Sequence, residues 1–221
     1  MGKQAVLAGA TGLVGKALLG KLLADDQYER VYILVRKSTG RSHPKLTEMV
    51  VDFDRLEPDR PVLEGADVFC TLGTTIKKAG SREQFHKVDF AYPVKLAELA
   101  AAHGAEQYVI VTAMGSDTRS MFFYSRVKGE TEARLRQLAL PGLSILRPSL
   151  LTGEREEFRF GERAVEAAAR ALSFVFTGPL RKYKPIPADT VAEGMLLAAR
   201  RGRRGVTVYE SGDIADLVDR A

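Results

Sequence analysis

The feature that most constrains the fold of this chain is a glycine-rich turn near its start. The stretch "GATGLVG" places Gly9, Gly12 and Gly15 at intervals of three, between the apolar run "AVLAGA" and the helical pattern "LVGKALLGKLLAD". The composition gives about 0.16 such triplets by chance. We expect Gly9 to permit a tight turn, Gly12 to let the backbone approach a pyrophosphate, and Gly15 to allow close packing of helix on strand.

Backbone groups make this turn a candidate anion site. The N–H groups at the start of the helix and the helix dipole favour a negative charge there. We expect Thr11, Leu13 and Val14 to complete the binding turn. The alternative is a flexible turn that binds nothing. The strand–turn–helix order, which is the context of a dinucleotide-binding turn, disfavours that alternative.

Apolar segments with strand character alternate with helical segments along the chain. Six of them come in order: "AVLAGA", "RVYILVRK", "TEMVVDF", "ADVFCTLG", "QYVIVTAM" and "LSILRP". The segment "TTIKKAGSREQ" is predicted as a polar loop, and "AYPVKLAELAAAHG" as a helix. This alternation predicts an α/β fold, a doubly wound and mostly parallel sheet with helices on both faces.

The last third of the chain departs from this regular alternation. A loop, a helix over "ERAVEAAARALSFVF" and a further helix with Asp189 as its N-cap precede a last strand, "GVTVYE". The sequence shows no internal repeat or linker. We therefore predict a single domain over residues 1–221, with residues 149–190 forming a small C-terminal cap on the substrate side.

Composition excludes several classes of protein. A chain of 221 residues with 45% hydrophobic content buries a sizeable core and is not disordered. The one cysteine, Cys70, lies in an apolar run, and the 3 histidines lack metal-ligand spacing, so we expect no metal site. The absence of a long apolar run and of a leader pattern predicts a soluble, cytoplasmic protein.

The charge pattern does not indicate a nucleic acid or membrane partner. The net charge is +5, and much of it lies in two short basic clusters, at residues 181–184 and 200–205. Neither cluster is long enough to form a basic stripe, so solvated surface charge is the preferred interpretation. We expect a small-molecule substrate as the partner.

Two basic residues follow the second predicted strand, where a dinucleotide fold selects its cofactor. An acidic residue there bonds the ribose 2′-hydroxyl of NAD(H), whereas arginine accommodates the 2′-phosphate of NADP(H). Here Arg36 and Lys37 occupy the position with no acid nearby, which predicts a preference for NADP(H) over NAD(H). The alternative is a pair of solvated charges after a strand.

The ends of the next two strands are expected to lie along the same cofactor. Asp52 and Phe53 end the third strand, where a carboxylate can accept from an adenine amino group and an aromatic ring can pack on the base. The tail of the fourth strand brings Leu72, Gly73 and Thr74 to the carboxyl edge of the sheet, where open α/β folds bind ligands.

A Tyr-x-x-x-Lys pair lies at the start of the helix predicted over residues 121–138. Tyr124 and Lys128 are four residues apart and therefore neighbours on one helix face. About 0.4 such pairs are expected by chance, so the pair needs its context.

That context resembles a known superfamily. The blocks "GATGLVG", "LGTTIKKAG", "VDFAYPVKLAELA", "YSRVKGE" and "LRPSLLTG", in this order, resemble the atypical short-chain dehydrogenases/reductases over nearly the whole chain. The second and fourth blocks are similar to the group of the Tat-interacting tumour-suppressor oxidoreductase and its bacterial relatives. The resemblance implies a Rossmann fold, a nicotinamide cofactor and an active site built on Tyr124 and Lys128.

The resemblance also implies a role for each site residue. Tyr124 would exchange a proton with the substrate oxygen, and Lys128 would bond the nicotinamide ribose and favour the phenolate by its positive charge. A serine or threonine usually holds the substrate carbonyl. Ala113 occupies the common serine position, so Thr112 is the best remaining hydroxyl and Ser116 the second choice. Thr112 as a core-facing strand residue is the open alternative.

The segment after the sixth strand would pass the nicotinamide end of the cofactor. Pro148 and backbone groups near Leu150 are the expected contacts, while Arg155 and Arg159 are either a clamp for an anionic group or solvated charges.

The sequence thus predicts an NADP(H)-dependent oxidoreductase acting on a small carbonyl or alcohol. The alternative is a redox sensor or regulatory scaffold that binds the cofactor without robust catalysis. Epimerase or dehydratase chemistry on a nucleotide sugar is a third hypothesis, which usually needs a larger substrate lobe. A homodimer is common among soluble proteins of this type, although no interface is legible in the sequence.

Overall fold

A parallel β-sheet organises the part of the chain that the computed structural model describes, residues 2–57, 60–153 and 183–221. Its strands are β1 (Lys3–Ala8), β2 (Tyr28–Val35), β3 (Leu46–Val50), β4 (Asp67–Cys70), β5 (Gln107–Val111), β6 (Gly142–Arg147) and β9 (Gly205–Glu210). Two short strands, β7 (Leu151–Thr152) and β8 (Ile186–Pro187), form a separate parallel pair.

The strand order in this seven-stranded sheet is β3-β2-β1-β4-β5-β6-β9, and each neighbouring pair is parallel. The chain moves outward from β1 to β3, then returns to place β4 on the other side of β1. The crevice at the carboxyl ends of β1 and β4 is therefore the point where the winding direction reverses, and ligands of open α/β sheets bind at such a point.

Helices cover both faces of the sheet. Those described are α1 (Leu13–Ala24), α2 (Arg60–Leu63), α3 (Ile76–Ala79), α4 (Arg82–His86), α5 (Tyr92–Ala102), α6 (Phe123–Leu135), α7 (Ala188–Arg200) and α8 (Ser211–Asp219). One core packs α1, α7 and α8 on the sheet, with Leu18 and Met195 fully buried. The other contains Leu96 of α5 and Leu135 of α6. Two cores on opposite faces confirm the predicted doubly wound fold.

Some predicted local features differ from the structure. The segment predicted as a polar loop after β4 contains α3 and the start of α4, because the Thr75 side chain accepts from Lys78 N and the Ser81 side chain accepts from Gln84 N. The N-cap of α7 is Pro187 rather than Asp189, whose carboxylate instead lies 3.1 Å from Lys21 Nζ. Short capped helices are hard to predict because their apolar pattern spans barely one turn.

The predicted cap lies mainly outside the described residues. Residues 154–182 are not described, so the helix predicted over "ERAVEAAARALSFVF", with Arg155 and Arg159 before it, falls outside the described structure. The division into one domain with a small cap stays a prediction.

A buried polar cluster at the amino edge of the sheet is structural. Tyr28 donates a hydrogen bond of 2.7 Å to Asp67 Oδ2, and Lys3 Nζ lies 3.1 Å from the same carboxylate. Burial raises the pKa of the Asp67 carboxyl, and the hydrogen bonds from Tyr28 and Lys3 oppose this effect. The cluster joins the starts of β1, β2 and β4, at the edge opposite the ligand crevice.

Candidate functional site

The glycine turn between β1 and α1 has the geometry of a phosphate-binding turn. Gly9 adopts a φ of +91°, and Gly12 N donates to Gly9 O at 2.9 Å. A Cβ at Gly15 would overlap the Gly9 carbonyl and lie 2.7 Å from Thr71 Oγ1. Close packing of α1 on β1 and on the residue after β4 thus requires glycine at this position.

The start of α1 leaves backbone donors available to a ligand. Gly12 is the N-cap residue and has extended backbone, and no side-chain hydrogen bond caps the helix there. Beyond Gly9 O at 3.4 Å, nothing among the described residues lies within 4 Å of a Cβ placed on Gly12. The first-turn N–H groups and the helix dipole therefore fit an anionic group such as a pyrophosphate.

A cavity of about 200 Å³ adjoins this turn. Its lining comes from the turn, from α1, from β2 and from the loop after β2, and combines apolar with polar or basic side chains: Ala10, Thr11, Lys16, Leu19, Ile33, Thr39 and Arg41. Arg36 and Lys37 are exposed at the start of the same loop. The arrangement brings basic side chains close to the glycine turn, on the β2 side of the sheet.

Glu48 of β3 anchors the loop after β2. Its carboxylate accepts from Ser38 Oγ at 2.7 Å and from Thr39 N at 3.0 Å, and it also accepts from the Thr39 hydroxyl. The hydroxyl hydrogen bonds of Thr39 and Ser38 lower the pKa of Glu48. The residues that follow Arg36 and Lys37 are therefore tied to the sheet.

The residues after β3 make local contacts. Asp52 is exposed and its Oδ1 accepts from Asp54 N at 2.9 Å, capping a 3₁₀ turn over Phe53–Arg55. Phe53 is only 6% exposed and packs against Tyr92, with ring centroids 5.4 Å apart. The structure therefore places the Phe53 ring in the core on the α5 side of the sheet, and its packing on the adenine base stays a prediction.

Tyr124 lies in the first turn of α6 and is reachable from solvent. Tyr124 is 38% exposed, and the centroid of its ring lies 5.7 Å from that of the Phe85 ring in α4. Lys128, one turn further along, is only 5% exposed. The tyrosine side chain is thus accessible to solvent, whereas the lysine is buried beneath it.

The buried Lys128 forms an ion pair with Asp89. Lys128 Nζ lies 2.8 Å from Asp89 Oδ1, and Asp89 is 1% exposed. Burial acts to lower the pKa of Lys128, whereas the charge of Asp89 raises it, and the net shift is upward. Lys128 is therefore held as an ammonium.

Asp89 is fixed from three sides. Its Oδ2 accepts from Thr74 N at 2.9 Å, and its backbone carbonyl accepts from Thr131 Oγ1 of α6 at 2.8 Å. It lies in a π-helical turn, Lys87–Ala91, that leads into α5. Such turns are rare and often occur at functional sites.

The tail of β4 lies beside this ion pair. A Cβ on Gly73 would be 3.5 Å from Asp89 Oδ1 and 3.7 Å from Lys128 Nζ. The structure thus brings Leu72, Gly73 and Thr74 together with Lys128 at the carboxyl edge of the sheet, beside the glycine turn that packs on Thr71.

The structure does not bring Thr112 to Tyr124. The Thr112 hydroxyl donates to Glu132 Oε1 at 2.7 Å, and Glu132 also accepts from Arg147 Nε at 3.0 Å. Glu132 lies eight residues beyond Tyr124, which is about 12 Å along the axis of α6. The hydroxyl is thus engaged in a buried charge network, as the core-facing alternative anticipated.

Ser116 and Pro148 make contacts that shape the loop after β5. Ser116 Oγ donates to the carbonyl of Ala113 at 2.7 Å, and Met114 N donates to the carbonyl of Pro148 at 2.9 Å. Leu150 is 45% exposed, and its carbonyl accepts from Ile186 N at 3.0 Å. The segment after β6 is thus held against the loop that precedes Tyr124.

Sequence reasoning missed Asp89 and Phe85. Asp89 was quoted only inside a family-like block, although an acid within an apolar helical run is a signal for a buried, paired charge. Phe85 directly follows the segment predicted as a loop, and no sequence pattern distinguished it.

Comparison with known proteins identifies the family. A family model described as NAD(P)H-binding matches residues 9–173. The chain belongs to this NAD(P)H-binding family. Protein HTATIP2 of Rattus norvegicus is 38% identical over 164 residues, covering 72% of this chain and 67% of that protein. Protein FMP52 of Eremothecium gossypii, named as mitochondrial, is 32% identical over 221 residues, covering 97% of each.

Solved structures share the fold. An UDP-N-acetylglucosamine 4-epimerase from Methanobrevibacter ruminantium M1 superposes with a TM-score of 0.69 at 16% identity, covering 95% of this chain and 76% of that one. A short-chain dehydrogenase/reductase superfamily protein from Agrobacterium tumefaciens with bound NAD gives 0.65 at 15% identity, covering 98% and 81%. At these identities they show the fold, a Rossmann-type α/β fold, and the HTATIP2 relative supports the predicted resemblance.

The predicted cytoplasmic location is wrong. Several fungal relatives are named as mitochondrial proteins, which contradicts the prediction. The prediction rested only on the absence of a long apolar run and of a leader pattern, and such an absence does not specify a compartment. Among the described residues, no helix is both long and apolar enough to cross a membrane.

Proposed function

We propose that this protein is an NADP(H)-dependent oxidoreductase that acts on a small carbonyl or alcohol substrate. The observation that carries the proposal is the pairing of a solvent-reachable tyrosine with a buried, charged lysine one helical turn away. Both lie at the carboxyl edge of the sheet, and the chain belongs to an NAD(P)H-binding family. Tyr124 is the proposed proton donor and acceptor, and Lys128 assists it.

The residues at this edge fit a dinucleotide. The turn containing Gly9, Gly12 and Gly15 would hold the pyrophosphate, and Lys128 would bond the nicotinamide ribose. The loop beginning at Arg36 would meet the adenosine ribose, where its guanidinium can bind a 2′-phosphate with two parallel hydrogen bonds. When bound, the nicotinamide supplies or accepts a hydride.

Tyr124 performs the proton transfer in this proposal. In reduction, Tyr124 Oη donates its proton to the carbonyl oxygen, and in oxidation it accepts the proton of the alcohol. The exposure of Tyr124 allows a substrate oxygen to reach Oη, and the packing of its ring on Phe85 fixes the direction of the phenol. Thr112 has a structural role through Glu132 rather than a contact with the substrate.

The cofactor preference is tested by titrating the free protein with NADPH and NADH in a calorimeter. We expect tighter binding of NADPH, and we expect Arg36→Ala to weaken NADPH binding by about 10-fold or more while leaving NADH unchanged. Arg30→Ala, at the opposite end of β2, is the matched control. Equal affinity of the wild type for both cofactors would refute the preference.

The proton transfer is tested with Tyr124→Phe on a panel of carbonyl substrates. We expect a loss of turnover of about 100-fold or more, with cofactor affinity retained. Tyr209→Phe is the control, because the Tyr209 hydroxyl is buried on the edge strand β9 without a hydrogen-bond partner among the described residues. Unchanged turnover in Tyr124→Phe would exclude the proposed role.

A cofactor-binding sensor is the second candidate function. Ala113 stands at the position where the resemblance to the superfamily implies a serine, and the adjacent Thr112 hydroxyl donates to Glu132. NADPH binding without turnover on any substrate of the panel would favour this function over catalysis.

A further inference from the structure

Arg41 lines the cavity that adjoins the glycine turn, although no sequence pattern distinguished it. The two basic residues directly after β2, Arg36 and Lys37, are not among the residues of its lining. The cavity measures about 200 Å³, whereas one water molecule takes up roughly 30 Å³ in the liquid, so a phosphate group has room inside. Among the described residues, Arg41 is therefore the arginine that borders this space.

The lining of the cavity favours an anion. Thr11 of the glycine turn and Lys16 of α1 border it together with Arg41, and no acidic residue is among the described residues that line it. Arg41 is exposed, and within residues 2–57, 60–153 and 183–221 no carboxylate forms an ion pair with its guanidinium. A guanidinium without a counter-ion is available for charge-assisted hydrogen bonds to a phosphate.

The turn that carries Arg41 is folded by its own hydrogen bonds. Gly40 adopts a φ of +68°, in the left-handed region that favours glycine, and its N–H donates to Ser38 Oγ at 3.2 Å. Arg41 N donates to Thr39 Oγ1 at 3.3 Å. Both hydroxyls in turn donate to Glu48 of β3. These contacts fix the backbone from which the Arg41 side chain reaches the cavity.

Glu48 is an acid that contacts the same loop, and an acid at the adenosine ribose would favour NAD(H) by bonding the 2′-hydroxyl. Its two carboxylate oxygens already accept from Ser38 and Thr39, and Glu48 does not line the cavity. The carboxylate is therefore engaged in folding the loop, and it leaves the basic lining of the cavity unopposed.

We propose that Arg41 is a specificity-determining residue that binds the 2′-phosphate of NADP(H) in this cavity, in addition to Arg36. The inference rests on the proposed function, because it identifies a second group that recognises the proposed cofactor. Arg41 lies six residues after the end of β2, whereas the usual selecting residue follows the strand directly. The planar guanidinium can give two parallel hydrogen bonds to the phosphate, and the Thr11 hydroxyl can give a third.

The test is calorimetric titration of wild type and Arg41→Ala with NADPH and with NADH, which differ only in the 2′-phosphate. We expect Arg41→Ala to lower the ratio of NADPH to NADH affinity by about 10-fold, through weaker NADPH binding alone. Arg204→Ala is the matched control, because it removes the same charge from an exposed position beside β9, which lies on the far side of β1 from β2. We expect that control to leave the ratio unchanged.

A second variant separates contact from charge. Arg41→Lys keeps the positive charge but loses the planar fork, so we expect it to lower the affinity ratio as well, by less than Arg41→Ala does. A ratio in Arg41→Lys equal to that of wild type would show that Arg41 acts through its field and does not bind the phosphate.

The outcomes distinguish this inference from the proposed function. A wild-type preference for NADPH that survives Arg41→Ala would overturn the inference and leave the proposed function standing. Equal affinity of the wild type for both cofactors would overturn both the inference and the proposed cofactor preference. None of these titrations requires turnover, so a Tyr124→Phe variant with unchanged turnover would refute the proposed proton transfer without altering the result for Arg41.

Discussion

Two glycines in α1 provide the sharpest test of the phosphate-binding turn. Both Gly15 and Gly20 lie in the same helix, so replacement by alanine gives each the same gain in helix propensity, about 0.8–1 kcal/mol. Their surroundings differ. Nothing among the described residues lies within 4 Å of a Cβ on Gly20, whereas a Cβ on Gly15 would lie 2.8 Å from the Gly9 carbonyl carbon and closer still to its oxygen.

The two substitutions should therefore differ in their effect on the free energy of unfolding. Gly20→Ala should stabilise the protein by about 1 kcal/mol, because the propensity gain meets no steric cost. Gly15→Ala should be less stable than Gly20→Ala by about 1–3 kcal/mol, the usual cost of overpacking, because backbone atoms of the turn must move. That movement should also weaken NADPH binding, which Gly20→Ala should leave unchanged.

The assay is urea denaturation of wild type and both variants, followed by calorimetric titration with NADPH. The free energies of unfolding should rank Gly20→Ala above wild type and Gly15→Ala below Gly20→Ala, with equal denaturant slopes. Equal stability of the two variants would refute the close approach of α1 to the turn. Unweakened NADPH binding in a destabilised Gly15→Ala would show that the turn does not hold the cofactor.

Two further predictions concern charge. Arg147→Met should destabilise the protein by about 3 kcal/mol, because it removes the main partner of the buried Glu132 carboxylate. Arg134 forms an exposed pair with Glu98, so Arg134→Met should cost less than about 1 kcal/mol in the same denaturation assay. The pKa of Glu48 is lower in the folded than in the unfolded protein, so its carboxylate stabilises the fold at pH values above the unfolded pKa, and this stabilisation is lost as the pH falls through the folded pKa. The difference in the free energy of unfolding between wild type and Glu48→Gln should therefore shrink from pH 6 to pH 3. A difference that stays constant over this range would contradict the prediction.

The elements that the sequence predicted best are those with a strong local pattern. The turn at Gly9 has its own residue spacing, and the strands are continuous apolar runs because both faces of the sheet are covered. The boundaries were less accurate. Strand β4 ends at Cys70, three residues before Gly73, because the chain leaves the sheet at Thr71 to pass over the glycine turn.

The site was predictable where it depends on one element and unpredictable where it depends on two. Tyr124 and Lys128 are four residues apart on one helix, so their proximity follows from helical geometry. Asp89 is 39 residues from Lys128 in the chain, and only the packing of α6 against the π-helical turn brings their charges together. No spacing rule connects such residues.

The sequence shows directly that alanine replaces the usual serine at position 113. It does not show where the neighbouring Thr112 hydroxyl lies, because that depends on contacts with other elements. Thr112 and Ala113 directly follow β5, and neighbouring residues of an extended chain direct their side chains to opposite sides, so a hydroxyl on Thr112 does not replace one on Ala113. There it meets Glu132 and Arg147 instead of a substrate. In the proposed reaction the Thr112 hydroxyl is therefore already engaged by Glu132, which leaves Tyr124 as the hydroxyl that meets the substrate oxygen.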